Sequence, residues 1–366
     1  MLVMLTFSFL VSALLSFVLI VNARTHARRY GHNMPQRFHK GNVPRVGGVA
    51  IALASFAACC LAAASSKFKL PINVSIDWRD VMLWSIALAP VLIAGVYEDL
   101  TQKIGVKWRL AASLLTGALA CSLLGLAVPR FGIAGLDAVW AAFPLLGIAF
   151  ALLAIAGLPH AFNIIDGYNG LAGFVAMLVC TAIAYVALQQ GDRNLAGLMA
   201  SLIGATAGFL IWNYPRGLIF AGDGGAYFWG GAVAIACVTL TQRHPAVSPW
   251  FVMLLLIYPV WETLFSIYRR FMRGNSPGAA DALHFHQLIY RRVVRNVAHE
   301  DVVQQMRIRN NRTSPFLWGL TALTVIPAML FWSNTPVLMV FCALFAATYL
   351  GAYIAIVRFN VPKWLK

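Results

Sequence analysis

The sequence predicts an all-α polytopic membrane protein with about eleven transmembrane helices, an external N-terminus and a cytoplasmic C-terminus. The first observation behind this prediction is composition: 60% of the 366 residues are hydrophobic and 11% are charged, whereas a soluble domain carries about a quarter charged residues. The second is a series of apolar runs of about 20 residues, the length that crosses the hydrocarbon core as a helix. These runs lack the period of two that a transmembrane β-barrel requires.

The whole chain, residues 1–366, is predicted to be a single integral-membrane domain, because no repeat or separate soluble segment is visible. The first apolar run has no basic segment before it and three arginines soon after it, which favours a retained helix over a signal peptide. All six cysteines lie inside apolar runs, so we expect neither disulfides nor a cysteine metal site. The predicted spans lie near residues 2–21, 46–64, 80–97, 108–126, 138–158, 170–188, 195–212, 225–242, 248–268, 314–331 and 336–357.

The third observation is the distribution of basic residues, which sets the predicted orientation. All but six of the 28 Lys and Arg residues fall on alternate connections and on the C-terminal tail. Positive residues are retained on the cytoplasmic side, so this face is predicted to be cytoplasmic. The same asymmetry accounts for much of the net charge of +16 and argues against a nucleic-acid partner. The predicted cytoplasmic loops lie near 22–45, 98–109, 159–169, 213–224 and 269–313.

The largest of these loops contains a basic and apolar stretch, HFHQLIYRRVVRNVAHEDVVQQMRIRNN, at residues 284–311. Valine, leucine and isoleucine alternate there with arginine, which favours a helix lying at the membrane surface. An anchor for anionic lipids is the simpler alternative.

Acidic residues are rare, and their positions indicate function. Of the twelve Asp and Glu residues, Glu98, Asp99, Asp166 and Asp223 lie at helix ends on the predicted cytoplasmic side. Ionisable groups near the membrane are costly, and they tend to face a cavity and serve a function. A solvated loop or an ordinary Gly-Asp-Gly turn would explain each motif alone. Together they predict one site on this membrane face.

The residue types at this site suit a diphosphate substrate and a divalent cation. Adjacent carboxylates such as Glu98 and Asp99 favour a neighbouring cation, and Mg²⁺ binds one or two carboxylates together with phosphate oxygens. Asp223 lies between glycines before a helix, whose first N–H groups can bind an anion. His284 and His286 are predicted to hydrogen-bond phosphate, because two histidines without a third ligand are weak evidence for zinc. No Walker A loop or nucleophile elbow is present.

The ordered motifs GNVPRVGG, GVYEDLTQKIGVKWRL, HAFNIIDGYNGLAGF, FAGDGGAYFWGG and HFHQLIYRR resemble those of the polyprenyl-phosphate N-acetylhexosamine-1-phosphate transferases. This family includes the undecaprenyl-phosphate N-acetylglucosamine 1-phosphate transferases and, more distantly, the phospho-N-acetylmuramoyl-pentapeptide transferases. The resemblance implies that a UDP-N-acetyl amino sugar, by default UDP-N-acetylglucosamine, transfers its sugar 1-phosphate to undecaprenyl phosphate. UMP is the second product, and the lipid-linked sugar begins an envelope glycan such as O-antigen.

Roles for individual residues follow from the resemblance and from the chemistry of phosphoryl transfer, which depends on positioning and charge neutralisation. Asp99 is expected to orient or deprotonate the acceptor phosphate, and Mg²⁺, with Mn²⁺ as an alternative, is expected on Asp223. A covalent route through an aspartate stays open. The predicted site comprises the catalytic residues Glu98, Asp99, Asp166, Asp223, His284 and His286, the substrate-binding residues Arg45, Lys107, Asn163, Asn169, Phe220, Gly222, Gln287 and Arg291, and the metal ligands Asp223 and Asp99.

Three positions depart from the family pattern. Glu98 replaces the first aspartate of an Asp-Asp pair, Asn169 replaces the second aspartate of Asp-x-x-Asp, and Gln287 replaces a histidine. Asp166 and Asn169 would share one face if their segment were helical. The departures leave the sugar open, with the 6-deoxy sugars N-acetylfucosamine and N-acetylquinovosamine as alternatives. A polytopic transporter and an inactive lipid-binding scaffold are the rival classes, and a homodimer is compatible with the sequence.

Overall fold

The computed structural model describes residues 1–23, 43–68, 74, 76–274, 283–295, 297 and 299–358. The predicted loops 22–45 and 269–313 therefore lie partly outside the described residues, at 24–42, 275–282, 296 and 298. All regular structure in the described ranges is helical. The α-helices are α1 Leu2–Asn22, α2 Gly47–Phe68, α3 Trp78–Thr101, α4 Val106–Leu123, α5 Ala134–Ala142, α6 Pro144–Ile165, α7 Leu171–Gln189, α8 Arg193–Asn213, α9 Gly222–Arg243, α10 Pro249–Leu255, α11 Ile257–Met272, α12 Phe285–Leu288, α13 Val302–Leu330 and α14 Thr335–Val357.

Helix starts follow local chemistry that is readable in the sequence. Four helices begin after a side chain that accepts a hydrogen bond from a first-turn N–H group, which is the role of a helix N-cap; Ser248 caps α10 in this way. Asp192 caps α8 through the N–H of Leu195, and Asn334 caps α14 through that of Val337. Asp301 does the same for α13.

The polytopic membrane architecture is confirmed. Among the described residues, nine helices are long and apolar enough to cross a membrane, or ten if the bent pair α10 and α11 is one span. The prediction of eleven spans differs at residues 108–126. Helix α4 forms there, but it falls outside that set, and its first turns contain Lys107 and Arg109. It packs instead between α3 and α6.

Helix α9 is the centre of the bundle. Every residue from Gly222 through Thr241 is buried, and the helix contacts α2, α3, α6 and α7. Small residues permit this packing: a Cβ on Gly95 of α3 would lie 2.6 Å from the Cα of Gly224, and a Cβ on Gly230 would lie 2.5 Å from the Cα of Pro159. Because protein surrounds α9, its N-terminus is held in the middle of the face where the predicted site residues lie.

The ninth predicted span is broken. Helices α10 and α11 meet at Leu256 with a bend of 69°. The change of direction orients α11 toward α6 and toward α13 and α14, and places the side chain of Glu262 in the protein interior.

The prediction of a surface helix across 284–311 is wrong. The described chain there forms the four-residue helix α12 and a π-helical turn, Ile289–Val293, and α13 begins only at Val302. Leu288, Ile289 and Val293 are buried. The apolar side chains of this segment pack into the protein, which is why the segment cannot lie on the membrane as an amphipathic helix.

Candidate active site

The acidic cluster, defined here as Asp99, Asp166 and Asp223, lies around the N-terminus of α9. Asp99, near the end of α3, accepts hydrogen bonds from the backbone N–H groups of Asp223 at 2.9 Å and Gly224 at 2.8 Å. These are first-turn N–H groups, which have no partner inside their own helix. The carboxylate of Asp99 therefore fixes α3 against the end of α9.

Asp223 is paired with an arginine from a third helix. The Nη1 of Arg109, in the first turn of α4, lies 3.1 Å from the Oδ2 of Asp223. The side chain of Tyr227, one turn further along α9, lies close to both Arg109 and Asn163. The network joins α4, α6 and α9 around one carboxylate, and it brings the predicted residues Asn163 and Asp223 into one site.

The GNVPRVGG motif closes this site from the other side. The N–H of Gly47 donates to the Phe220 carbonyl at 2.9 Å, and the N–H of Phe220 donates to the Pro44 carbonyl at 2.9 Å. Gly222 has φ of +73°, and a Cβ there would collide with the Arg45 carbonyl oxygen and the Asp99 carboxylate. Only glycine satisfies both the left-handed conformation and the close approach.

Asp166 follows the last residue of α6 and is partly exposed. Burial raises the pKa of Asp166 to about 7, the positive charge of Arg45 opposes this rise, and the negative charge of Asp223 adds to it. The two interactions show that Arg45, Asp166 and Asp223 lie within one electrostatic environment. A carboxyl group that titrates near pH 7 is characteristic of functional sites.

Asn169 has different surroundings from Asp166, three residues earlier. The condition for a shared helical face is not met, because residues 166–170 form turns and a bend. Asn169 is 4% exposed; its N–H donates to Asn310 Oδ1 at 2.8 Å, its Nδ2 donates to Asn311 Oδ1 at 2.9 Å, and its carbonyl accepts from Ser314. These partners all belong to α13, so Asn169 anchors its loop to that helix.

The histidine motif is fixed to α11 and faces the Asp166 loop. The Nδ1 of His284 lies 3.0 Å from the Oε1 of Glu262. The rings of His284 and His286 stack with centroids 5.3 Å apart, and a Cβ on Gly167 would lie 3.0 Å from His286 Nε2. His286 therefore lies against the residue that follows Asp166.

Four predicted site residues have other surroundings. Glu98 accepts a hydrogen bond from the Ile104 N–H at 2.7 Å and so closes the turn after α3. Lys107 and Arg291 are exposed, and Gln287 is buried. The predicted catalytic role of Glu98 and the predicted substrate contacts of the other three stay predictions.

Sequence reasoning left three residues out of the predicted site: Arg109, Tyr227 and Glu262. Arg109 was recognisable as a basic residue close to the acidic pair, but nothing in the sequence indicated its pairing with Asp223. Tyr227 follows Asp223 by four residues, a spacing that does signal a shared helical face. Glu262 lies in an apolar run, and an acid inside a predicted span is a signal for function that could have been used.

The donor set suits a cation that is bound jointly with a substrate. Among the described residues, no three His, Cys, Asp or Glu side chains converge to hold a metal ion alone. Mg²⁺ is usually held by one or two carboxylates with phosphate oxygens and waters completing the shell. Asp223 offers one carboxylate beside the Arg45 and Arg109 charges, which is compatible with binding of a metal diphosphate.

A family model described as glycosyl transferase family 4 matches residues 81–241. The matched region contains all three members of the acidic cluster as well as Arg109, Asn163 and Asn169. Arg45 and the histidine motif lie outside it.

Curated relatives agree with this match. The chain is 26% identical over 257 residues to a probable undecaprenyl-phosphate N-acetylglucosaminyl 1-phosphate transferase of Bacillus subtilis (strain 168), covering 69% of this chain and 66% of the relative. It is 27% identical over 261 residues to an undecaprenyl-phosphate alpha-N-acetylglucosaminyl 1-phosphate transferase of Yersinia pestis, covering 69% and 67%. It is 25% identical over 241 residues to a phospho-N-acetylmuramoyl-pentapeptide-transferase of Streptococcus pneumoniae (strain Hungary19A-6), covering 66% and 71%. The alignments thus span about two thirds of each relative, and residues 81–241 of the chain are similar to glycosyl transferase family 4.

Proposed function

We propose that this protein transfers the sugar 1-phosphate of a UDP-N-acetylhexosamine to undecaprenyl phosphate. The observation that carries the proposal is the convergence of Asp99, Asp223 and Arg109 at the N-terminus of α9. Two carboxylates beside an arginine suit phosphate groups that are bound together with a divalent cation. The names of the relatives support polyprenyl phosphate as the acceptor and a phosphorylated amino sugar as the transferred group.

In this reaction an oxygen of the acceptor phosphate attacks the phosphorus that bears the sugar. A new P–O–P linkage forms, the P–O bond to UMP breaks, and UMP leaves with the bridging oxygen. A phosphate monoester is largely ionised near pH 7, so no strong base is required. Asp99 holds the end of α9 in place, and Arg45 and Arg109 offset negative charge that gathers on the diphosphate.

Mg²⁺ is the proposed cofactor, with Asp223 and Asp99 as the residues that would hold it. When bound, the ion would neutralise charge on the diphosphate oxygens. Asp166 lies beside His286 and Arg45, where its carboxyl can position the nucleotide sugar. The active site would face the cytoplasm, where UDP-sugars are made, and the acceptor chain would remain between membrane-spanning helices.

Release of UMP tests this function directly. Purified protein in lipid vesicles containing undecaprenyl phosphate is supplied with UDP-N-acetylglucosamine, and the Asp223→Ala variant is expected to be at least about 100-fold slower. Asp77→Ala is the matched control, because Asp77 is an exposed aspartate at the opposite end of α3 from Asp99. Turnover by Asp223→Ala within tenfold of wild type would contradict the proposed role of Asp223. Activity after complete chelation of divalent metals would contradict the proposed requirement for Mg²⁺.

The donor sugar is decided by a panel. UDP-N-acetylglucosamine is the proposed donor, and the UDP-linked 6-deoxy sugars N-acetylfucosamine and N-acetylquinovosamine are the alternatives. The donor with the highest kcat/KM identifies the substrate, and its identity indicates whether the lipid-linked product begins O-antigen or another envelope glycan. Failure of every donor to release UMP would contradict the proposed reaction and would favour a transporter or lipid-binding role.

A further inference from the structure

Glu262 is a buried acid that the proposed reaction does not use. Its side chain is 0% exposed, and it lies in α11 just after the bend with α10. An isolated buried carboxylate is strongly unfavourable, so such a group persists only with donors that satisfy it. Its partners therefore indicate why this position is acidic.

Three donors converge on Glu262. The Phe285 N–H donates to Oε1 at 3.0 Å, and the Tyr349 hydroxyl donates to Oε2 at 2.6 Å. The third group is His284, whose Nδ1 lies 3.0 Å from Oε1. Since an ionised carboxylate only accepts hydrogen bonds, the proton on this ring is at Nδ1. The arrangement orients the imidazole and determines which of its nitrogens carries hydrogen.

The oriented ring is connected to the proposed site. Within the described residues, the Nε2 of His284 has no hydrogen-bond partner, so it is the ring atom left for a ligand. The His284 ring stacks on His286 with an interplanar angle of 4°. The His286 ring contacts that of Tyr168 and lies against Gly167, next to Asp166. An unbroken series of contacts thus runs from Glu262 through two histidines to the acidic cluster.

We propose that Glu262 is a positioning residue for the transferase reaction, which it serves by fixing the orientation and the protonated nitrogen of His284. The inference rests on the proposed function, because His284 must act on substrate phosphate for its orientation to matter. The arrangement parallels carboxylate–histidine pairs in which a buried acid orients the imidazole that contacts the substrate. Glu262 itself does not touch substrate.

A double-mutant cycle of Glu262 and His284 separates a positioning role of Glu262 from a purely structural one. If Glu262 acts through His284, replacing it matters only while His284 is present. If Glu262 only holds the segment 283–285 against α11 and α14, its loss adds to that of His284. The readout is kcat for UMP release, measured at saturating donor and acceptor.

We expect Glu262→Gln, which retains the shape of the side chain, to lower kcat about tenfold or more. In a His284→Gln background the same substitution is expected to change kcat by less than about twofold. Asp137→Asn is the matched control: like Glu262, Asp137 is a carboxylate that accepts backbone hydrogen bonds, in its case from Phe131 and Gly132 before α5. It is expected to leave kcat unchanged in both backgrounds.

Equal effects of Glu262→Gln in the two backgrounds would overturn the positioning role while leaving the proposed function intact. An unchanged kcat in the single variant would overturn it as well. If the wild-type protein releases no UMP at all, the proposed function is overturned, and this inference with it. Circular dichroism and unfolding temperature of each variant show whether the fold is retained, and Glu262→Asp replaces Glu262→Gln if the latter does not fold.

Discussion

Two polar clusters, linked by one short loop, contrast in their chemistry. One is the acidic cluster, and the other is the asparagine cluster, which comprises Asn169, Asn213, Asn310 and Asn311. Asp166, at the start of this loop, is partly exposed, and its pKa is raised by burial to about 7. Asn169, three residues later, is buried and bonded to α13. The contrast teaches how a polar residue can serve an apolar chain. When protein partners satisfy its hydrogen bonds it stabilises packing, and when they do not it stays available for chemistry.

The asparagine cluster is neutral and largely satisfied internally. Asn213 accepts from the Gly170 N–H at 2.6 Å and donates to the Ile219 carbonyl at 2.8 Å, and Asn311 donates to the Pro215 carbonyl at 2.7 Å. These bonds connect the loop 166–170, the segment 214–221 and α13. Buried amide networks of this kind rigidify the surrounding backbone. The asparagine cluster is held together without charged groups. It can therefore support the neighbouring backbone that carries the carboxylates of the acidic cluster.

The largest expected effect lies at the glycine that shapes the acidic cluster. Gly222→Ala places a Cβ against the Arg45 carbonyl and the Asp99 carboxylate at a φ of +73°. Left-handed backbone and overpacking together cost roughly 2–5 kcal/mol. We expect a clear fall in unfolding temperature and loss of UMP release, measured in detergent and in vesicles respectively.

Gly125→Ala is the matched control for this substitution. Gly125 has φ of +65°, and nothing lies within 4 Å of a Cβ placed there. It should show only the conformational cost, about 1–2 kcal/mol. Equal destabilisation by the two variants would contradict the tight packing described around Gly222.

A smaller effect is expected at Asn169, where the family pattern has an aspartate. Asn169→Asp removes the Nδ2 donor to Asn311 and places a carboxylate beside the Asn311 oxygen. Losing a buried hydrogen bond in this way costs about 1–3 kcal/mol. The unfolding temperature should fall, and the ranking of UDP-sugar donors should not change.

Asn22→Asp serves as the control, because Asn22 donates to the Val18 carbonyl at 2.9 Å from an exposed position. Its effect should stay within about 0.5 kcal/mol. A changed donor preference in Asn169→Asp at an unchanged unfolding temperature would show that Asn169 determines sugar specificity rather than anchoring the loop.

The smallest effect concerns pH, because Asp166 is partly exposed and solvent screens its electrostatic interactions. The pKa of Asp166 is about 7 in the folded protein against an ordinary 3.8. A raised pKa of an acid means that the folded state holds the proton more tightly, so stability is greatest below about pH 4 and falls as pH rises to 7. Asp166→Asn removes this loss. The variant should match wild type near pH 4 and unfold at a higher temperature at pH 8.

Asp192→Asn should behave with the opposite sign. Burial would raise the pKa of Asp192, but the Leu195 N–H, His244 and Arg243 together lower it below its ordinary value. A lowered pKa contributes stability that is present above the ordinary pKa and lost in acid. This variant should therefore be less stable than wild type at pH 8. The same direction of change in both variants would contradict the contrast drawn between the two aspartates.

The sequence by itself determined the helical membrane fold, and it singled out several residues that the structure brings close together. Apolar runs of membrane-spanning length leave few alternatives in lipid, where backbone groups must be bonded within the segment. The scarcity of acids made Asp99, Asp166 and Asp223 conspicuous, and the structure brings Asp99 and Asp223 together with Gly222, Phe220 and Arg45. The sequence predicted a loop up to residue 224, whereas α9 already begins at Gly222. The glycines at this helix start have the composition of a turn, which is why the boundary was misplaced.

Tertiary structure decided the partners. No local pattern indicates that Arg109 meets Asp223, 114 positions away, or that Glu262 meets Tyr349, 87 positions away. The same limit explains the wrong prediction at 284–311: the pattern was amphipathic, but α13 and α14 cover its apolar side chains. Hydropathy along a chain reports which residues avoid water, and it does not distinguish burial in lipid from burial in protein. Only the packed helices decide between them.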